Sequence, residues 1–268
     1  MSTKLKIAAA VAAAVLLSAC SSPKHEPMPL VNFTPSMEVT EVWSKGLSSA
    51  EGFLVPAVYD DMVFAAGGKT LTRLNARTGE TEWSVSFDSP ITGGVGSDGY
   101  VTAVGLWDGN LEVVDAEGKV SWEKKLTTEL ASPPVVSHGL VIARTMDTRV
   151  SAFEASSGEL QWTYQKSQPA LTVRLPTRML AHDNFLLVGQ PNGHIVILDI
   201  ASGKPVFEFQ VAQAKGVTEV ERLVDVVGAP AFSENLVCAA AFQGAVTCVD
   251  STNGQTKWTQ KIDAVAGP

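Results

Sequence analysis

From Phe53 to Ile262 short apolar runs alternate with polar turns, and none of the runs keeps a helical period. Runs of this length bounded by Gly, Asn and Asp predict β-strands. The first group reads Phe53 to Tyr59, Met62 to Ala66, Thr70 to Leu74 and Glu80 to Phe87, with Asn75-Ala76-Arg77-Thr78-Gly79 turning the chain before the last strand. The same order returns as Tyr100 to Val104, Leu111 to Val114 and Lys119 to Lys124, then as Leu140 to Arg144, Val150 to Phe153 and Glu159 to Tyr164. Two further groups follow: Phe185 to Val188, Ile195 to Leu198 and Pro205 to Phe209, then Leu236 to Ala240, Ala245 to Val249 and Thr256 to Ile262. Each turn ends in a Gly, and an aromatic residue stands four positions later. The pairs are Gly79 and Trp83, Gly118 and Trp122, Gly158 and Trp162, Gly203 and Phe207, and Gly254 and Trp258.

The first three aromatics are 39 and 40 residues apart, which is the period of a sheet-based repeat. Four short antiparallel strands per period, with no helix between them, predict an all-β fold: a β-propeller whose large aromatics fill the wedges between blades. Val42-Trp43-Ser44 carries a further Trp ahead of the first complete blade and reads as an extra outer strand. Five complete blades plus one unmatched outer strand imply about two thirds of a larger ring, with C-terminal blades missing or sheet edges left open. The propeller domain is expected to span residues 38–268.

The period then stretches, to 45 residues from Trp162 to Phe207 and to 51 from Phe207 to Trp258. The excess falls in Lys166 to Pro176 and Gln210 to Gly228, which link outer strands to the next inner strands and so emerge on one face from adjacent blades. Long loops on a rigid scaffold are where binding residues concentrate. Leu171-Thr172-Val173-Arg174-Leu175 sets one arginine among aliphatics, and the second loop carries Glu219-Val220-Glu221-Arg222-Leu223-Val224-Asp225. Arg174 either offers its planar fork to a partner carboxylate or pairs with Asp225 inside the protein.

Composition narrows the partners. Twenty basic residues face 28 acidic ones, a formal charge of −8, and no basic stripe for nucleic acid is present. Lys4 and Lys6 precede the Ala-rich run Ile7 to Leu17, which closes on Leu17-Ser18-Ala19-Cys20. That is a secretory signal over 1–19, too short to span a membrane. A Ser- and Pro-rich tether follows over 20–37. An exported protein can form disulfides. Cys238 and Cys248 flank the turn Gln243-Gly244 with even spacing, so they are either a disulfide or two small buried apolar residues.

Catalytic chemistry is not legible. Gly94-Val95-Gly96-Ser97-Asp98-Gly99 has dinucleotide-fingerprint spacing, but a turn and a strand follow where the phosphate would need a helix N-terminus. His25, His138, His182 and His194 are scattered without metal-ligand spacing, and no nucleophile motif occurs. We expect no metal and no cofactor.

Leu17-Ser18-Ala19-Cys20 resembles the lipobox of bacterial lipoproteins, which implies lipidation at Cys20, and Ser21 after it implies the outer membrane. Together with the Trp-bearing repeats of the PQQ-like (quinoprotein) type and the loops Leu171 to Arg174 and Thr218 to Val226, the chain resembles the BamB family. These are eight-bladed lipoprotein subunits of the outer-membrane β-barrel assembly (BAM) machinery. The resemblance implies a non-enzymatic scaffold on the periplasmic face of the outer membrane, assisting the folding and insertion of nascent outer-membrane proteins. It also implies contacts to a POTRA domain of BamA at Leu171, Val173, Arg174 and Asp225. Val173 stands where Leu is usual, and Val227 where a second Asp is common. The alternative is a PQQ-dependent dehydrogenase-like protein or a ligand-binding propeller. The dehydrogenases resemble this chain in scaffold but carry a calcium-binding acidic cluster, and often adjacent cysteines, neither of which is found on the expected inner strands Phe53 to Tyr59, Ser132 to Val136 or Ala229 to Phe232.

Overall fold

The computed structural model describes residues 32, 34–48, 54–167 and 169–268. The signal 1–19, Cys20, most of the tether 20–37, His25 and Phe53 lie outside the described residues. The chain up to Glu41 and the chain from Val42 to Pro268 form separate compact units. The second holds every described strand.

Blade 1 consists of β1 (Ala57–Tyr59), β2 (Met62–Gly67), β3 (Thr70–Asn75) and β4 (Thr81–Ser86). Blade 2 consists of β5 (Ile91–Ser97), β6 (Thr102–Leu106), β7 (Asn110–Val114) and β8 (Val120–Lys125). Blade 3 consists of β9 (Val135–Ser137), β10 (Leu140–Arg144), β11 (Val150–Glu154) and β12 (Leu160–Tyr164). Blade 4 consists of β13 (Leu180–His182), β14 (Phe185–Gly189), β15 (His194–Asp199) and β16 (Pro205–Gln210). Blade 5 consists of β17 (Val226–Ser233), β18 (Leu236–Ala241), β19 (Gly244–Asp250) and β20 (Thr256–Ile262). Each is a four-stranded sheet in simple up-and-down order.

The inner strands depart from expectation. β1 starts at Ala57 and β9 at Val135, because Pro56, Pro133 and Pro134 have no N–H to give a ladder. The glycines of the Gly94 to Gly99 motif lie on β5 and its turn. A Cβ at Gly96 would collide with the Pro134 carbonyl, so the motif serves the close approach of two blades.

The repeated turn has a mechanical explanation. In four of the five copies its first residue is an Asx-type acceptor, Glu154 being the exception: Asn75 Oδ1 takes the N–H groups of Arg77 and Thr78 at 2.9 and 3.1 Å, and Asp199 Oδ1 takes that of Ser202 at 2.9 Å. The closing Gly79 sits at φ 72° and donates its N–H to Asn75 O at 2.9 Å. It is doubly constrained, since a Cβ there would also lie 2.6 Å from the Trp43 ring.

Each aromatic except Trp258 docks on the turn of the following blade. Trp83, Trp122 and Trp162 lie against Gly118, Gly158 and Gly203, and their Nε1–H groups donate to Ala116 O, Ala155 O and Ile200 O at 2.9, 2.8 and 2.8 Å. Trp43 makes the same contact with Gly79 and donates to Ala76 O at 2.9 Å. Its segment forms no strand, a correction to the extra outer strand expected at Val42 to Ser44: among the described residues it joins no ladder, and it is held by the indole on Gly79 and by Leu47 and Ser48 against Gly67. Phe207 packs on Gly254 without an N–H to donate. Between successive sheets lie the apolar cores, such as Phe64, Ile91 and Val104 between blades 1 and 2, and Ile142, Leu186 and Val196 between blades 3 and 4.

On the opposite face of the outer hairpins, cross-strand hydroxyl pairs recur: Thr72 with Ser84, Ser151 with Thr163, and Thr247 with Thr259, at 3.1, 3.3 and 3.1 Å. Blade 2 has Glu112 opposite Glu123 instead. Burial, then the Glu123 charge, push the Glu112 carboxyl up to about 7. A carboxyl whose folded pKa exceeds its unfolded value contributes no penalty at low pH, and stability falls as pH rises from about 4.5 through 7. Glu112→Thr, which restores the hydroxyl type, is therefore expected to raise Tm at pH 8 by roughly 3–6 °C, corresponding to about 1–2 kcal/mol, and to change it little at pH 5. Thermal melts of both proteins at the two pH values check this.

Candidate functional site: two stitched interblade loops

The two stretched intervals become the loops between Tyr164 and Leu180 and between Gln210 and Val226. The first loop is fastened at two places, to the start of β17 and to the second loop. Gly228 donates its N–H to Pro176 O at 2.8 Å and accepts from Arg178 N–H at 2.9 Å, and Thr177 bridges Gly228 in parallel. Asp225 Oδ2 accepts the Val173 N–H at 2.7 Å, across 52 residues of sequence.

Leu171 and Arg174 are exposed, Val173 is half-buried and Asp225 is buried. Arg174 holds φ 55°, a left-handed conformation unusual for a non-Gly residue. It makes no ion pair among the described residues, so the expected alternative of an Arg174–Asp225 pair is corrected: the Val173 N–H takes the Asp225 carboxylate, and Arg174 stays exposed at the rim of the space that Asp225 lines. Leu171, Val217 and Val220 are exposed aliphatics of the two loops. The second loop is ordered by a local cap, in which Glu221 Oε2 accepts from Val217 N–H and Thr218 N–H at 2.9 and 3.0 Å. The bonds from Thr218 and Val217 hold that carboxyl below its ordinary range. Val227 is 1% exposed and packs with Ala240 and Ala264, so this position serves the core.

Beneath the loops lies a residue that sequence reasoning passed over. Arg144 ends β10 and is 5% exposed. Burial pushes its guanidinium down to about 10, with the Asp225 charge acting in the opposite sense. Burial likewise raises the Asp225 carboxyl, opposed by the Val173 N–H and the Arg144 charge. The signal available in the sequence was an arginine closing the apolar run Leu140 to Ala143.

Cys238 and Cys248 face each other across β18 and β19 with Cα atoms 4.1 Å apart, and their sulfurs are joined. Among the described residues no group of three or more His, Cys, Asp or Glu side chains is arranged to hold a metal ion. His138 Nδ1 lies 2.8 Å from Ser137 Oγ, the His182 ring packs at a tilt of 30° against Phe232, and His194 Nδ1 lies 3.0 Å from Asn192 O.

The geometry can be set beside known proteins. The family model described as outer membrane protein assembly factor BamB matches residues 67–268. The protein of that name from Burkholderia pseudomallei is 37% identical over 97% of this chain, which spans 70% of that relative's length. The crystal structure of BamB from Moraxella catarrhalis matches with a TM-score of 0.73 and 27% identity, covering 80% of this chain and 65% of that one. A quinohemoprotein alcohol dehydrogenase from Comamonas testosteroni matches with a TM-score of 0.60 at 18% identity, covering 81% of this chain and 44% of its own, a likeness of fold alone. The chain belongs to the family of the outer membrane protein assembly factor BamB.

Proposed function

We propose that this chain is a non-enzymatic scaffold of the outer-membrane protein assembly machinery, tethered by lipid at Cys20 to the periplasmic face of the outer membrane. Leu171, Val173, Arg174 and Asp225 bind a POTRA domain of BamA, and the bound scaffold assists nascent β-barrel proteins to fold and insert. The reading is carried by the Asp225–Val173 bond, which fixes one loop against the other while Arg174 stands free beside exposed aliphatics. A rigid patch of this kind binds without first having to order its loops. The guanidinium would meet a partner carboxylate, and the aliphatics would form the dry centre of the contact.

The dehydrogenase-like alternative rests on fold likeness alone, and fold does not confer a reaction. Co-purification with BamA tests the proposal. Arg174→Glu, which reverses an exposed charge and leaves the loop contacts in place, is expected to reduce recovered BamA at least tenfold, the loss of about 1.4 kcal/mol or more. Undiminished recovery with Arg174→Glu and with Asp225→Lys would remove the loops from the interface.

A further inference from the structure

The cavity below the loops holds an unusual set of atoms. Arg144 Nε and Nη1, Ser132 Oγ, Thr92 Oγ1 and Asp225 Oδ1 are all buried and have no hydrogen-bond partner among the described residues. The four residues that carry them line one space of about 360 Å³. Ser132 is 3% exposed and Arg144 5% exposed. Buried polar groups in folded proteins are almost always paired, and a guanidinium left unpaired is among the most costly exceptions. The deficit therefore points to an occupant.

Charge gives its sign. Arg144, Arg174 and Arg178 line the space against the single carboxylate of Asp225, in a protein whose formal charge is −8. A local excess of guanidinium in an acidic protein favours an anion, and a planar fork with two open N–H groups suits a carboxylate. Asp225 Oδ1, an unpaired acceptor in the same space, disfavours a phosphate dianion and welcomes a donor carried next to the carboxylate.

We infer that this cavity is a binding site for a single carboxylate bearing an adjacent hydrogen-bond donor, held by Arg144 at depth and by the hydroxyls of Ser132 and Thr92. The carboxylate can come from a free hydroxy acid or from an acidic side chain of a polypeptide, whose amide supplies the donor. The site goes beyond partner docking, because its anchoring charge is the buried Arg144 and not the exposed Arg174.

Calorimetric titration of the purified full chain with lactate, acetate and the peptide acetyl-Ala-Glu-Ala-amide, at ionic strength held constant with sodium chloride, tests it. Saturable binding of lactate or the peptide is expected, with acetate weaker. Preference for the peptide assigns the polypeptide source, and preference for lactate the free acid. Arg144→Met is expected to abolish the heat of binding. Because that variant also alters a buried charge, Ser132→Ala combined with Thr92→Val, which keeps Arg144, is read alongside and should weaken binding by roughly threefold or more. No saturable binding of any probe, or unchanged affinity in both variants, overturns the site.

Discussion

Trp162→Ala is expected to lower stability by about 3–5 kcal/mol, a Tm drop of roughly 8–15 °C for a domain of this size. Trp162 is 9% exposed, and its indole spans the wedge from blade 3 to the Gly203 turn of blade 4. Its Nε1–H donates to Ile200 O at 2.8 Å. Truncation removes the ring from a core that includes Leu186 and Ile200, and also leaves a buried carbonyl unpaired. Trp258 provides the internal comparison. It occupies the same register position on β20 but is 47% exposed, so Trp258→Ala should cost about 1 kcal/mol or less. Phe207 provides the converse, since its ring packs on Gly254 with no N–H to donate. Urea denaturation of the variants measures the ordering, and equal losses at Trp162 and Trp258 would contradict the wedge explanation.

The second large effect belongs to Asp225. Asp225→Lys puts an ammonium where a buried carboxylate now accepts the Val173 N–H and faces the buried Arg144. Placing an uncompensated ammonium in this buried position beside Arg144, and removing the acceptor of the Val173 N–H, costs about 3–5 kcal/mol, well above what an exposed charge reversal does. The stitch between the loops fails with it, so Arg174 is no longer presented against a fixed neighbour. The expected outcome is loss of BamA from the co-purified material together with a lowered denaturation midpoint. Arg174→Glu differs in one respect: binding falls while the midpoint stays within about 0.5 kcal/mol of the original. A common midpoint shift for both variants would mean that Arg174 also has a structural role.

Much of this was legible in the sequence, for identifiable reasons. The Gly-to-aromatic interval survives into the structure because each glycine is constrained by its own turn and by the ring of the preceding copy. Such a double constraint leaves a spacing that one chain can display. The stretched intervals located the loops because a rigid repeat confines extra residues to its connections.

What stayed hidden depends on contacts between distant segments. That Asp225 would take the Val173 amide and not pair with Arg174 follows from register between loops 52 residues apart, which composition cannot specify. Arg144 looked like the polar end of a strand, yet β10 points it under both loops, where its burial becomes the dominant electrostatic fact. The shortened β1 and β9 were readable in principle, since Pro56, Pro133 and Pro134 forbid pairing. Glu112 and Glu123 alternate correctly for an outer hairpin, but only the register reveals two carboxylates directly opposed.

The central claim is that two stitched loops form the partner surface, and hydrogen–deuterium exchange tests it most directly. Purified chain is compared with and without saturating POTRA region of BamA, peptide by peptide. The account predicts slowed exchange confined to residues 169–178 and 217–228, lost in Arg174→Glu. Binding that protects β20 or the blade edges while leaving both loops unprotected would contradict it.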